Sequence, residues 1–423
     1  MEDLPEPLLA EILKWITRAS DRNSLSLVSK HLYTIEAEHR DTIRIGCGLH
    51  STTEPLESLF SRFPNLLKVE IDYSCCSSSQ GKQLDNQGLH MLLSHCPSLS
   101  DLTLSSCSYV NNSSLAYVSC FAKLRSLRLK CTSTVNSSGL LSVVAGCKSL
   151  SLLHLVDCKG VDNMEWLEYL GRYGSWEELV VKNCNEIRRY DLLKFGPGWA
   201  KLQKFEFEMN GKYRCTPPHD PSYPHSYDIS CENLKELRLA RIVTTQVFGL
   251  RFLLGKCKAL EKLWLEFVVG LNENELIKIF QNCSNLKSIS IWRCSFQFGT
   301  ALTNNTFKAL ALSCPMLQVL EISCRIGYTQ KGIVALVQSC PIRDLVLNGG
   351  SIFRDEGAEG LSCSRFLERL HLVCCSSITD AAMNFIIESP CLSNLTLSRC
   401  DNVTDDGMAV LVINRSSNSR QKL

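Results

Sequence analysis

The sequence predicts an α/β chain: a short helical segment followed by a horseshoe solenoid with parallel strands on its concave side and helices on its convex side. Three observations predict it. One sentence is written twice near the end of the chain, LERLHLVCC with SSITDAAMNFII and then LSNLTLSRC with DNVTDDGMAVLV, so that Leu367, Leu370, Leu372 and Cys375 line up with Leu392, Leu395, Leu397 and Cys400. The same register, an apolar residue followed by others three and five positions on, recurs from residue 66 onward. Residues 1–45 do not follow it. A unit of this kind cannot bury its own apolar face, so the repetition itself argues for a stack.

The opening segment reads as two or three short helices. Leu8, Leu9, Ile12, Leu13 and Ile16 recur at helical spacing behind Pro5 and Pro7, and Leu25, Leu27, Val28, Leu32 and Ile35 form a second apolar face after Asp21. So small a segment cannot hold a sizeable core alone, and it packs either on the repeats, as a solenoid cap, or on a partner.

The strand sentence then starts at Leu66, Leu99, Leu124, Leu150, Trp176, Leu202, Leu234, Leu260, Leu286, Leu317, Ile342, Leu367 and Leu392, with a partial copy at Arg40 that uses Ile43 and Ile45. Starts are 25 or 26 residues apart except for three gaps of 33, 32 and 31 residues. That period and that wording are those of leucine-rich repeats. The helical halves agree, because Asn111, Asn136, Thr379 and Thr404 each put a capping side chain ahead of an apolar stripe.

Three insertions break the rule. Residues 74–85 are small and polar. Residues 209–230 set Tyr213, His219, Tyr223, His225 and Tyr227 among four prolines, a composition suited to binding with little ordering cost. The third lies near Phe296, Phe298 and Thr300. The tail 414–423 is polar and is expected to be disordered. The expected domains are therefore 1–45, the repeats over 46–413, and the tail.

Composition bounds the function. Of 423 residues 45% are hydrophobic and 21% charged, which suits a packed soluble chain, and a net charge of +2 gives no global pull toward nucleic acid or membrane. The start MEDLPEPLL has no signal-peptide layout and no apolar run reaches transmembrane length, so the expected location is the nucleus or cytoplasm. There the 23 cysteines are expected to stay reduced. Twelve of them occupy two repeat positions: Cys107, Cys158, Cys184, Cys294, Cys375 and Cys400 end the strand sentence, while Cys96, Cys147, Cys231, Cys257, Cys283 and Cys314 stand three residues before a start. Regular placement implies a structural corner role. No CxxC pair, phosphate loop or GxGxxG element is present, and the histidines are scattered, so no catalytic, cofactor or metal site is expected.

LPEPLLAEILKWI followed by SLSLVSKHLYTI resembles the F-box, matching its pattern at Leu4, Pro5, Leu8, Leu9, Ile12, Leu13, Ser26, Leu27, Val28 and Lys30. The departure is Leu32, where that family often carries Trp. An F-box ahead of cysteine-bearing repeats resembles the F-box/leucine-rich-repeat substrate receptors of SCF-type ubiquitin ligases, including the plant branch of hormone receptors. The resemblance implies a Skp-family adaptor, and through it a cullin, docked by Leu4, Pro5, Leu8, Leu9, Ile12, Leu13, Leu27, Val28 and Leu32. It implies a non-catalytic subunit that presents an unnamed target for proteasomal degradation. Hormone-receptor relatives also hold an inositol polyphosphate, but no motif here carries that over. The alternatives are a repeat scaffold or inhibitor with a helical cap, and a co-receptor that needs a small ligand.

Strand alternation selects the residues of a concave binding face. Thr103, Arg128, Glu206, Arg238 and Glu321 are expected there, and with them Trp264, Phe267 and Trp292 grouped near Arg241 and Arg293. Exposed tryptophan and arginine on a groove are the usual stuff of binding hot spots. The candidate target-binding set is Arg238, Arg241, Trp264, Phe267, Trp292 and Arg293, joined by Tyr213, Tyr223 and Tyr227 of the proline-rich insertion. The alternative is that the tryptophans pack under neighbouring loops.

Overall fold

The computed structural model describes residues 4–46, 53–75, 83–161, 165–184, 199–210, 231–242, 257–296, 302–323, 329–349 and 353–409. Tyr213, Tyr223, Tyr227, His219, His225, Phe298, Thr300, much of the insertion at 74–85 and the tail lie outside them. The chain divides into two compact units, Met1–Gly198 and Trp199–Leu423.

The first unit opens with three helices, α1 (Glu6–Trp15), α2 (Ala19–Ser26) and α3 (Lys30–His39). Pro7 fits the first turn of α1, whose N–H groups have no helical partner, and Ser29 caps α3 by accepting from the Leu32 N–H at 3.2 Å. Their shared core is Leu9, Leu13, Leu32 and Ile35, with Ile16 and Leu25 packed against it.

Strand and helix then alternate: β1 (Thr42–Gly46), α4 (Thr53–Arg62), β2 (Lys68–Asp72), α5 (Asn86–His95), β3 (Asp101–Ser105), α6 (Asn112–Val118), β4 (Ser126–Lys130), α7 (Ser137–Gly146), β5 (Leu152–Val156), α8 (Glu165–Tyr173) and β6 (Glu178–Cys184). The six strands pair in sequence order, all parallel. Residues 42–45, which fall inside the 1–45 segment but carry the partial strand copy at Arg40, are the first strand, because Ile43 and Ile45 pair with Val69 and Ile71 and are buried.

The second unit repeats the plan with β7 (Lys204–Met209), β8 (Glu236–Ala240), β9 (Lys262–Glu266), β10 (Val269–Leu271), α9 (Glu273–Asn282), β11 (Ser288–Trp292), β12 (Ser295–Phe296), α10 (Asn304–Ser313), β13 (Val319–Ser323), α11 (Gln330–Ser339), β14 (Asp344–Asn348), α12 (Asp355–Ser362), β15 (Arg369–Val373), α13 (Asp380–Ile387) and β16 (Asn394–Ser398). Eight of these strands form the parallel sheet in the order β7-β8-β9-β11-β13-β14-β15-β16, while β10 and β12 pair separately. With the six of the first unit, 14 strands among the described residues carry the repeat register. They are the 13 sequence copies and the partial one at Arg40.

Register explains the core. Leu102, Leu127, Leu153 and Leu179 are successive partners and all are buried, as are Leu237, Leu263, Ile289, Leu320, Leu345 and Leu370. Each strand alone would leave its leucines half wet, and stacking removes them from water at about 25 cal/mol per Å² of apolar surface. Trp176 takes the starting leucine's place and is buried, which requires glycine at 174, since a Cβ there would lie 1.8 Å from the indole nitrogen.

The cysteines stand at corners. Among those that end strands, Cys158, Cys184, Cys294, Cys375 and Cys400 donate Sγ–H toward the carbonyls of Leu129, Leu155, Leu265, Leu347 and Leu372 one repeat earlier, at 3.5, 3.9, 3.4, 3.8 and 3.4 Å. At helix ends Cys283, Cys314 and Cys340 donate to the carbonyls of Cys257, Cys283 and Cys314 at 3.4, 3.7 and 3.6 Å. A thiol is small enough for a buried corner and supplies the weak donor that an orphan carbonyl there lacks.

The residue before the strand-ending corner takes a left-handed conformation in repeat after repeat: Ser106, Cys131, Asp157, Asn183, Arg241, Phe267, Arg293, Cys374 and Arg399 have φ between 49° and 56°. Such a conformation costs a non-glycine residue about 1 kcal/mol or more and needs a compensating contact. That contact is the N–H, which donates to a carbonyl of the next strand, as from Ser106 to Lys130 and from Phe267 to Trp292.

Candidate functional site

Two surfaces gather the residues singled out by sequence. The first is the outer face of the N-terminal helices. Leu8, Trp15 and Leu27 are 52%, 84% and 84% exposed, and Leu4, Ile12 and Val28 are exposed with them. On an amphipathic pair of helices this is the wrong side of the core, so the apolar area has no intramolecular reason to be there. Trp15 was missed in the sequence because it lies one position off the apolar stripe that builds the core.

Leu9, Leu13 and Leu32 do not belong to that surface. They are buried against Ile35 and hold the three helices together, so their assignment as adaptor contacts is corrected. Helical periodicity marks two faces of α1 as apolar, and only the packing of α3 decides which one is core. The leucine at 32 is therefore an inner brace and not a weakened contact.

A charged knot joins this segment to the first repeat. Glu36 has no exposed surface, and its carboxylate faces Arg40, Arg22 Nε at 3.5 Å and Arg62 at 3.5 Å. Arg40 also donates to Asn23 Oδ1 at 2.8 Å, and Arg62 lies 3.9 Å over the Tyr33 ring. Nothing in the sequence signalled it, since a glutamate and three arginines on helices read as ordinary solvated surface.

The second surface is on the second unit, where strand register sets Glu206, Arg238, Trp264, Ser290 and Glu321 in one row and Ala240, Glu266, Trp292 and Ser323 in the next. Trp264 and Phe267 are each 37% exposed, Arg241, Arg293 and Val269 are exposed, and Trp292 is half-buried. Val269, on the short β10 strand, was not in the sequence set. Two of the arginines are engaged: Arg238 donates to Glu266 at 2.8 Å with its guanidinium 4.6 Å over the Trp264 ring, and Arg241 pairs with Glu208 at 3.3 Å. Arg293 instead lies 5.7 Å over the Phe267 ring.

Not every residue expected on the open strand face is accessible. Thr103 is buried because its row neighbours Glu70 and Arg128 are longer, and Arg128 is tied down by Asp101 at 2.7 Å. Of the candidate cysteine chemistry, burial pushes the Cys107, Cys147 and Cys314 thiols up to about 12 and those of Cys96, Cys231 and Cys283 up to about 11. Thiols so held are not nucleophiles at neutral pH. Among the described residues no cluster of His, Cys, Asp and Glu has the makings of a metal site, and no helix is long and apolar enough to cross a membrane.

No protein-family model matches the chain. Among solved structures it is similar to a chain in the crystal structure of the Rad7 and Elc1 complex in yeast, with a TM-score of 0.54 and 16% identity over 92% of this chain and 91% of that one. A chain of the TLR13–ssRNA13 complex aligns at a TM-score of 0.45 and 13% identity, over 86% of this chain and 52% of that one. The architecture is that of a leucine-rich-repeat solenoid.

Proposed function

We propose that the chain is the substrate-recognition subunit of an SCF-type ubiquitin ligase of the F-box/leucine-rich-repeat kind. The observation that carries the reading is the apolar outer face of the N-terminal helices. Leu4, Leu8, Ile12, Trp15, Leu27 and Val28 stand in water over a core already completed by Leu9, Leu13, Leu32 and Ile35. These exposed residues dock a Skp-family adaptor and, through it, a cullin. The similar chain of the Rad7 and Elc1 complex supports the reading, since a chain of this fold along nearly its whole length there belongs to a two-protein assembly.

In this role the protein does no chemistry of its own. The repeats hold a target so that its lysines sit at high effective concentration near a charged conjugating enzyme, and the modified target goes to the proteasome. The work is done in the nucleus or cytoplasm. The test is affinity capture from lysate with a proteasome inhibitor present, comparing wild type with a Leu8→Asp, Val28→Asp variant, both positions being exposed. The variant is expected to keep its helical circular dichroism and lose adaptor and cullin together. Equal recovery of both by the variant sinks the reading and leaves the helices as a solenoid cap.

A further inference from the structure

We propose that Trp264, Phe267 and Arg293 form a seat for an extended peptide segment that carries a large apolar side chain next to a carboxylate. The inference rests on the receptor reading above and names the class of target it recognises. It starts from backbone geometry. Arg241, Phe267 and Arg293 occupy the left-handed corner position of three consecutive repeats, with φ of 56°, 49° and 50°, and their N–H groups donate to the carbonyls of Glu266, Trp292 and Ser323 at 2.8, 2.9 and 2.6 Å. These three positions are therefore anchored by the sheet, and a ligand that uses them meets little ordering cost.

The apolar part of the seat is Trp264 and Phe267, both 37% exposed, with exposed Val269 two residues on in the chain and half-buried Trp292 paired with Glu266 on the neighbouring strand. The Trp264 ring carries the Arg238 guanidinium at 4.6 Å, a stacking that holds the indole in place. Aromatic side chains held this way at the surface are the usual anchors of a recognition site.

Charge selects the second half of the ligand. Arg238 has Glu266, Arg241 has Glu208 and Lys262 has Glu236 at 2.6 Å, so those cations are already neutralised. Arg293 differs. Its guanidinium rests over Phe267 at 5.7 Å and, among the described residues, no carboxylate lies within ion-pair reach of it. One uncompensated guanidinium at the rim of an aromatic floor fits one carboxylate beside one apolar group. A nucleic acid would need a row of such cations to release counterions, and here the neighbouring ones are spent. Asp or Glu next to Phe, Leu or Trp in an extended chain offers the matching pair.

The experiment uses the full chain and four blocked, dye-labelled octapeptides of one backbone that differ only at two adjacent central positions: Phe-Asp, Phe-Asn, Ala-Asp and Phe-Lys. Fluorescence anisotropy is expected to show saturable binding of Phe-Asp and roughly 10-fold weaker binding of Phe-Asn and of Ala-Asp, the scale of one lost charge-assisted bond or one lost anchor. In the Arg293→Gln variant, Phe-Asp and Phe-Asn are expected to bind alike while both still exceed Ala-Asp. The proposal is overturned by absence of saturable Phe-Asp binding, by Phe-Lys binding as well as Phe-Asp, or by an Asp-over-Asn preference that survives in the variant. Adaptor capture from the same preparation separates the failures, since capture retained without peptide binding removes this seat and leaves the receptor reading standing.

Discussion

Glu36 carries three arginines. Arg40, Arg22 and Arg62 converge on one carboxylate with no exposed surface, and Arg62 comes from α4 of the first repeat rather than from the N-terminal helices. Replacing Glu36 by Ala leaves crowded cations without their counterion, which costs about 3–5 kcal/mol where a buried pair loses one partner. A large drop in thermal midpoint is expected for Glu36→Ala and a smaller one for Glu36→Gln, which keeps the hydrogen-bond acceptor; equal midpoints in all three proteins would mean the knot is idle. A second prediction concerns the thiols. Burial raises Cys107, Cys147 and Cys314 from the ordinary 9.0 to about 12, so at pH 8 the native protein offers almost no thiolate there. Iodoacetamide followed by peptide mass spectrometry should label the exposed Cys120, Cys363 and Cys391 and spare those three until denaturant is added. The two features differ in how visible they were beforehand. Corner cysteines show in the sequence because they recur at a repeat position, whereas Glu36 recurs nowhere and its partners come from α2, the residue that follows α3, and α4.

At the scale of the element, the first residue of one helix caps the next. Asp380 accepts from the N–H and hydroxyl of Thr404, both at 2.7 Å, Asp355 from those of Thr379, both at 2.8 Å, and Asn304 and Asn112 from the N–H groups of Thr329 and Asn136, both at 3.0 Å. The sequence shows the caps within each helix, and Asn111, Asn136 and Thr379 all accept from their own first turns. It does not show this bridging between helices, because the donor and acceptor are about a repeat apart. Loss of a cap costs about 1 kcal/mol, so Asp380→Ala should speed hydrogen exchange at the Thr404 amide well beyond its effect on Ser126 or Leu127. Unchanged exchange at Thr404 would show that the bridge adds nothing. Glu273 offers a pH test of the same device. Burial raises its pKa, but four hydrogen bonds from the hydroxyls and N–H groups of Thr303 and Thr306 outweigh that, and the net direction is down from 4.5. A depressed carboxylate contributes stability above its unfolded pKa and loses it as pH falls through the folded one. The wild-type advantage over Glu273→Gln should accordingly be present at pH 7 and fade below about pH 4.5; a gap in midpoint that is the same at pH 7 and pH 3 would contradict it.

Within each of the two units, every described strand pairs with those of neighbouring repeats, so stability is a sum of repeats and their interfaces rather than one cooperative core. The repetition made the architecture legible at a distance: an apolar residue at three fixed offsets was enough to place the repeat strands. What it could not place were the departures, the short β10–β12 ladder after two of those strands, and which of two apolar helix faces stays outside at the N-terminus. Both depend on contacts that occur once. The additive picture predicts how damage spreads. Leu129 is buried in β4, and Leu129→Ala should cost about 2–5 kcal/mol through lost transfer energy and a residual cavity. Hydrogen exchange should rise in β3, β4 and β5, whose strands are its direct partners. The amides of Leu263 and Leu265 in β9, which belongs to the second unit, should keep wild-type protection. An increase there as large as in β4 would show that the repeats unfold as one body. In that case a change in the scaffold would disturb the proposed seat at Trp264 from any distance, rather than only from a neighbouring repeat.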